Sequence, residues 1–148
     1  MTSRNATPSD PVVSMPRPYL RYLVPIGRVL FATIFVMSAF GHFSSQAVAY
    51  AASQGVPLPS VAVPLSGVMA LLGGISVALG YRARLGAWLI VLFLVPVTFM
   101  MHRFWAMGDS MTARIQQVMF LKNLSMLGAA LLLAYNGAGP VSLDARRE

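Results

Sequence analysis

The stretch VAVPLSGVMALLGGISVALG, residues 61–80, contains no charged side chain. A helix needs about 20 apolar residues to cross the hydrocarbon layer of a membrane. Three further segments of similar character lie at residues 22–43, 85–101 and 115–135. None of the four alternates apolar and polar residues, as the strands of a membrane barrel do. The sequence therefore predicts an all-α fold, an integral membrane four-helix bundle.

The composition is typical of a chain that has lipid as its solvent. Hydrophobic residues make up 57% of the 148 residues and charged residues 10%, whereas soluble domains carry about 25% charged residues. The absence of cysteine excludes disulfides and thiolate chemistry within the chain. With two histidines and four acidic residues, most of the latter near the chain ends, no metal site is predicted.

The distribution of arginines predicts the orientation of the chain. The net charge of +7 comes from residues that flank the spans, so we expect no nucleic-acid partner. Arginines concentrate before the first span, in the loop at residues 81–84 and in the C-terminal tail. These regions share one side of a four-span chain, and positively charged segments favour the cytoplasm. We therefore expect a multi-pass protein of the cell inner (plasma) membrane, with N and C termini cytoplasmic.

The chain divides into three regions. Residues 1–19 are polar, contain four prolines and predict a disordered cytoplasmic tail. Residues 20–135 form the four-helix domain, and residues 136–148 form a cytoplasmic C-terminal tail. Between the first two spans, residues 44–60 predict a short interfacial helix that is closed by Gly55.

Several short motifs resemble the DoxX family of small four-helix membrane proteins. The motifs read GR at 27–28, SAFGHF at 38–43, YAASQGVP at 50–57, LGYRAR at 79–84, HRFW at 102–105 and FLKNL at 120–124, and the similarity as a whole covers roughly residues 20–135. The family takes its name from a subunit of a thiosulfate–quinone oxidoreductase. The resemblance therefore implies a redox-associated subunit that binds a quinone within the bundle. One departure is Ala70, which occupies a position where many members carry a glutamate.

Lys122 is the first candidate for ligand binding. It lies about 10 Å along the fourth span from Ile115, and a charge at such depth usually faces the bundle interior. It shares an arc of the helix with other polar and small residues, including Arg114 and Gln117. We expect this arc to face inward, with the lysine bordering a quinone pocket. The alternative is a lysine that extends outward along the helix.

Further ligand-binding candidates lie near the outer mouth of the bundle. His42 and His102 carry side chains that exchange protons near neutral pH and bond quinone oxygens. Arg114 and Trp105 are placed at the mouth, although Trp105 also suits a membrane interface. Arg28 is expected to reach the cytoplasmic headgroups.

Three functions fit this pattern. The first is a subunit of a quinone-linked oxidoreductase, whose electrons come from a partner protein or a bound substrate. The second is a non-catalytic membrane scaffold or assembly factor. The third is a small-solute carrier, which would need a homo-oligomer because four spans are few and no inverted repeat is evident. The sequence leaves the catalytic residues unknown.

Overall fold

The structure, a computed structural model, describes residues 18–147, so almost all of the tail predicted at residues 1–19 lies outside the described residues. Every regular element in the described range is helical, which confirms the all-α prediction. The α-helices are α1 (Leu23–Ala39), α2 (Ser45–Ser53), α3 (Pro59–Leu79), α4 (Ala83–Met101) and α5 (Met111–Asn136). Short 3-10 helices occupy Pro18–Tyr22, Phe40–Phe43, Phe104–Ala106 and Asp144–Arg146.

Within residues 18–147, four helical segments are long and apolar enough to cross a membrane, as the hydropathy of the sequence predicts. They are Tyr19–Phe43, Pro59–Leu79, Ala83–Ala106 and Met111–Asn136. These helices pack mainly in chain order, with α1 against α3, α3 against α4, and α4 against α5. The buried core follows this order, and its largest fully buried apolar side chains are Phe35, Ile90, Leu94 and Val77.

Helix α3 is the centre of the bundle because glycines let both neighbours approach it closely. A Cβ atom added at Gly74 would stand 2.9 Å from Cγ2 of Val36 on α1. One added at Gly73 would stand 2.9 Å from the carbonyl oxygen of Gly86 on α4. Small residues at a membrane helix interface allow this kind of backbone approach.

The predicted short helix between the first two spans is present as α2. The hydroxyl of Ser44 caps it by accepting from the backbone N–H of Ala47 at 3.2 Å. The chain reverses after it at Gly55, whose φ of +77° suits glycine. α2 packs against α3 and against the 3-10 helix that follows α1, so it covers one end of the bundle.

The face that α5 turns inward differs from the one that the sequence predicted. Ala113, Asn123 and Ala130 are its buried residues, whereas Lys122 is exposed. The Nζ atom of Lys122 lies 3.4 Å from Sδ of Met119, one turn earlier on the same helix. The prediction of an inward lysine was wrong because α5 packs chiefly against α4 and therefore buries one narrow seam.

The C-terminal segment does not extend away from the bundle. Arg28 is 3% exposed and donates to the carbonyl oxygens of Ala138 and, at 2.9 Å, Val141. The expectation that Arg28 reaches the headgroups was therefore wrong. A Cβ atom added at Gly80 would stand 2.5 Å from Ser142 Cβ, so only glycine accommodates this segment at the end of α3.

Candidate ligand-binding site

An apolar cavity of about 480 Å³ lies at the end of the bundle that α2 covers. Its wall comes from the end of α1, from α2, from the first turns of α3 and from the last turns of α4. Most of the lining is aliphatic, and the polar side chains in it are Ser38, His42, Tyr50, Ser66 and His102. A cavity of this size, mostly apolar with a few polar groups, is the usual form of a small-molecule site.

Two structural features lie beside this cavity. Pro96, which is inside α4, is part of its wall. Arg103 follows α4 and donates from Nη2 to the carbonyl oxygen of Gln54 at 2.6 Å. This bond ties the end of α4 to the end of α2, so the covering helix is fixed at both of its ends.

His42 reaches the cavity because α3 has no side chain opposite it. A Cβ atom added at Gly67 would stand 2.7 Å from the Cβ of His42. His42 Nδ1 lies 2.9 Å from the carbonyl oxygen of Ser38. Because a carbonyl can only accept, Nδ1 carries the proton. The ring also packs edge-on against Phe93, with centroids 5.6 Å apart.

His102 is the C-terminal cap of α4, and it contacts the next helix. Its Nδ1 lies 2.6 Å from Oε1 of Gln116 on α5. The amide oxygen accepts, so Nδ1 again carries the proton. In both histidines the second nitrogen, Nε2, is then left as an acceptor in the neutral ring and becomes a donor in the protonated ring.

The other sequence-predicted residues lie outside this cavity. Lys122 is on the outward face of α5, and Arg114 pairs across 3.6 Å with Asp109 at the surface. Trp105 joins an aromatic cluster, with its ring centroid 5.7 Å from that of Phe120. The structure thus brings His42 and His102 together and separates them from Lys122, Arg114 and Trp105.

Gln116 is a site residue that the sequence analysis missed. It holds the ring of His102 and thereby fixes which nitrogen can meet a ligand. The sequence did contain a signal for this contact. A short connection between antiparallel spans places the residues at its two ends at one level of the membrane, and His102 and Gln116 lie on either side of such a connection. Within residues 18–147, no group of three or more His, Cys, Asp or Glu side chains could hold a metal ion.

The fold and the cavity together define a class: a small polytopic helical membrane protein with a mostly apolar cavity at the end of the bundle that α2 covers. The DoxX family profile matches residues 23–103, and the chain belongs to the DoxX family. It is 35% identical over 131 residues to the inner membrane protein YphA of Escherichia coli (strain K12), covering 88% of this chain and 91% of YphA. It is 27% identical over 121 residues to the inner membrane protein YqjF of the same organism, covering 82% of this chain and 88% of YqjF. No solved structure matches the chain.

Proposed function

We propose that the chain is a redox-associated membrane subunit that binds the head of a quinone in the cavity between His42 and His102. The observation that supports this proposal is the presence of two histidine side chains in a mostly apolar cavity of about 480 Å³. A flat head with two oxygens needs apolar walls and polar groups for those oxygens. The family resemblance to a quinone-linked subunit points in the same direction.

The tautomers of the histidines determine how each ring can bond the reduced and the oxidised form of the ligand. With Nδ1–H of each ring already donated, to Ser38 and to Gln116, neutral Nε2 can accept a hydroxyl proton of a quinol. The protonated ring donates to a carbonyl oxygen of the oxidised quinone instead. Each histidine can thus take or return one proton as the ligand changes redox state. The two electrons pass to or from a partner protein or a bound substrate, because the chain has no cysteine whose thiol could carry them.

The proposed setting is the cell inner membrane, as in the relatives YphA and YqjF. The proposed orientation places both chain ends in the cytoplasm. The C-terminal segment and the loop at residues 81–84 then lie on the cytoplasmic side, where arginines are favoured. The histidine cavity lies at the opposite face, so protons would exchange there.

A second function, a non-catalytic scaffold, is favoured by the outward face of α5. This face carries Lys122, Gln117 and Ser125, which are all exposed in a span that would otherwise meet lipid. Polar groups in a membrane span commonly bond the helix of another protein. As a scaffold, the chain binds a partner protein or a second copy of itself, and Lys122 stabilises the assembly.

Titration of the detergent-purified protein with a short-chain quinone distinguishes the two functions. Thermal stability is followed for the wild type and for His42→Gln, His102→Gln and Lys122→Met. A ligand at a hundredfold excess over its dissociation constant stabilises the folded state by about 2.7 kcal/mol. We expect this gain in the wild type and in Lys122→Met, and its loss in both histidine variants.

Other outcomes would redirect the assignment. If quinone does not stabilise Lys122→Met, Lys122 belongs to the quinone-binding site. Absence of any response in the wild type would contradict quinone binding. If Lys122→Met then also lowers the mass of the complex measured by native mass spectrometry, the scaffold function gains.

A further inference from the structure

A second cavity, of about 740 Å³, lies at the opposite end of α4, where the C-terminal segment meets the loop between α3 and α4. Three arginines line it, Arg82, Arg84 and Arg147, together with a single acidic residue, Asp144. We call it the arginine cleft. It plays no part in the proposed quinone site, because the whole length of α4 separates the two.

The acceptor groups around the arginine cleft are already engaged. Both carboxylate oxygens of Asp144 cap the first turn of α4, accepting from the backbone N–H of Arg82 at 2.7 Å and of Ala83 at 3.0 Å. The nearby carbonyls of Ala138 and Val141 accept from Arg28. These bonds fix the shape of the cleft and engage its carboxylate and two nearby carbonyls.

The donor groups, in contrast, are in surplus. In the described part of the chain, the guanidinium groups of Arg82, Arg84 and Arg147 have no carboxylate within salt-bridge distance, and the ion pair present is Arg114–Asp109. Arg147 and Arg82 are arranged about the ring of Tyr81, at 4.7 Å and 5.8 Å from its centroid. A cleft with unpaired guanidinium donors is suited to bind an oxyanion that has several acceptor oxygens.

The position of the cleft indicates where that oxyanion comes from. The cleft lies where a membrane span begins, which is the depth of lipid headgroups. Leu85 lines it and is 59% exposed. Trp88, one helical turn beyond Arg84, is 50% exposed. An apolar strip therefore runs from the arginines toward the membrane interior, along which an acyl chain can lie.

We propose that the arginine cleft binds an anionic phospholipid, with the headgroup phosphate held by Arg84, Arg147 and Arg82 and an acyl chain along Leu85 and Trp88. Arginine meets phosphate with two parallel hydrogen bonds, which suits it to this role. A lipid with net negative charge is preferred over a zwitterionic one because the cleft has three positive side chains and one negative. Basic sites of this kind between helices are a recognised means of binding anionic headgroups.

Fluorescence of Trp88 tests the proposal directly. The chain has two tryptophans, so a Trp105→Phe background leaves Trp88 as the sole emitter. The protein is placed in phosphatidylcholine vesicles that contain either brominated phosphatidylglycerol or brominated phosphatidylcholine as a minor component. We expect the brominated phosphatidylglycerol to quench Trp88 several-fold more strongly, with the preference falling as salt rises.

Arginine variants in the same background locate the site. Arg147→Gln and Arg84→Gln should each reduce the preference by roughly fivefold. Arg114→Gln, which removes the same charge at the other end of the bundle, should leave it unchanged. Arg147 is exposed, so its variant is expected to fold, and circular dichroism checks each protein.

Three results would overturn the proposal. The first is equal quenching by the two brominated lipids, and the second is an equal loss of preference in Arg114→Gln. The third comes from measuring thermal stability in detergent as inorganic phosphate is added at constant ionic strength. If phosphate raises thermal stability through Arg147 while the lipid preference is absent, the cleft binds a free anion. None of these outcomes depends on quinone binding.

Discussion

Arg28 is a charged residue inside the first membrane span, and its environment explains how it is tolerated. Placing an arginine near the middle of a span costs about 2.5–3.5 kcal/mol on insertion scales. Here the side chain is buried near one end of the span and donates to two carbonyls of the C-terminal segment, Ala138 and Val141. The two terminal nitrogens thus bond backbone acceptors in place of water and attach α1 to the C-terminal segment, whereas the buried Nε has no hydrogen-bond partner among the described residues.

We predict that Arg28→Met destabilises the protein. Methionine has a similar reach but no donor, so the buried carbonyl of Ala138 and the partly buried carbonyl of Val141 lose their partner, and a buried group left unsatisfied costs about 1–3 kcal/mol. Thermal unfolding in detergent, followed by circular dichroism, measures the effect. Arg21→Gln is the control, because Arg21 is exposed and, among the described residues, donates to the hydroxyl of its neighbour Tyr22 at 2.8 Å and lies over the Tyr22 ring. Equal melting temperatures for the two variants would show that the bonds of Arg28 contribute nothing.

Single residues could be predicted from the sequence where local order determines their position. His42 and His102 each end a span on the same side, so counting spans was enough to place them at one membrane face. The partners of Arg28 could not be found in this way. They lie 110 and 113 positions away in the sequence, in a tail without hydropathy pattern or regular spacing.

At the scale of the helix, the packing of α3 depends on the glycines that face its two neighbours. Gly73 lies against the backbone of α4, and a Cβ atom there would meet Gly86 O and Ile90 Cγ1, each at 2.9 Å. Neither the backbone oxygen nor the buried isoleucine can move easily. Even one added methyl group must therefore push the two helices apart.

We predict that Gly73→Ala lowers stability by about 1–3 kcal/mol, the range typical of overpacked interiors. Gly128→Ala is the matched control, since a Cβ atom at Gly128 on α5 would have no neighbour within 4 Å. Alanine is the better helix former by about 0.5–1 kcal/mol, so the control should be neutral or slightly stabilised. Chemical unfolding in the same detergent compares them, and an unchanged Gly73→Ala protein would contradict the close contact.

The error over Lys122 also belongs to the scale of the helix. The sequence showed which residues share an arc of α5, but it did not show which arc meets a neighbour. The buried seam contains Asn123 and Ala130, next to the exposed Lys122. A polar arc indicates the interior of a bundle only when helices surround it, and α5 packs chiefly on one side.

At the scale of the whole molecule, the C-terminal segment joins three of the four spans. It accepts from Arg28 on α1, and the backbone N–H of Asp144 donates to Gly80 O at the end of α3 at 2.8 Å. The Asp144 carboxylate caps α4. Hydropathy alone predicted the four spans and their order, but these cross-links involve polar groups outside the spans, where hydropathy carries no signal.

The stability contributed by the C-terminal segment depends on pH because Asp144 carries a titratable carboxyl group. The N–H of Ala83 and then that of Arg82, helped by the charges of Arg147 and Arg28 and partly opposed by burial, hold the pKa of Asp144 below its ordinary value. A carboxyl group whose pKa is lowered on folding stabilises the folded state above its unfolded pKa, about 3.9. That stability is lost as the pH falls further, through the folded pKa, because protonation then removes the favoured charge.

We therefore predict that Asp144→Asn is less stable than the wild type at neutral pH and that the difference shrinks as the pH drops below about 4. Melting temperatures in detergent across this range measure it, with Asp109→Asn as the control. Asp109 has a carboxylate as well, but its side chain is 90% exposed in its pair with Arg114, so its loss should have little effect at any pH. A constant difference between Asp144→Asn and wild type across the range would show that the carboxylate charge does not hold the segment. In that case Asp144 would cap α4 through the geometry of its two hydrogen bonds and not through its charge. The amide oxygen of the asparagine could still accept one of these two bonds.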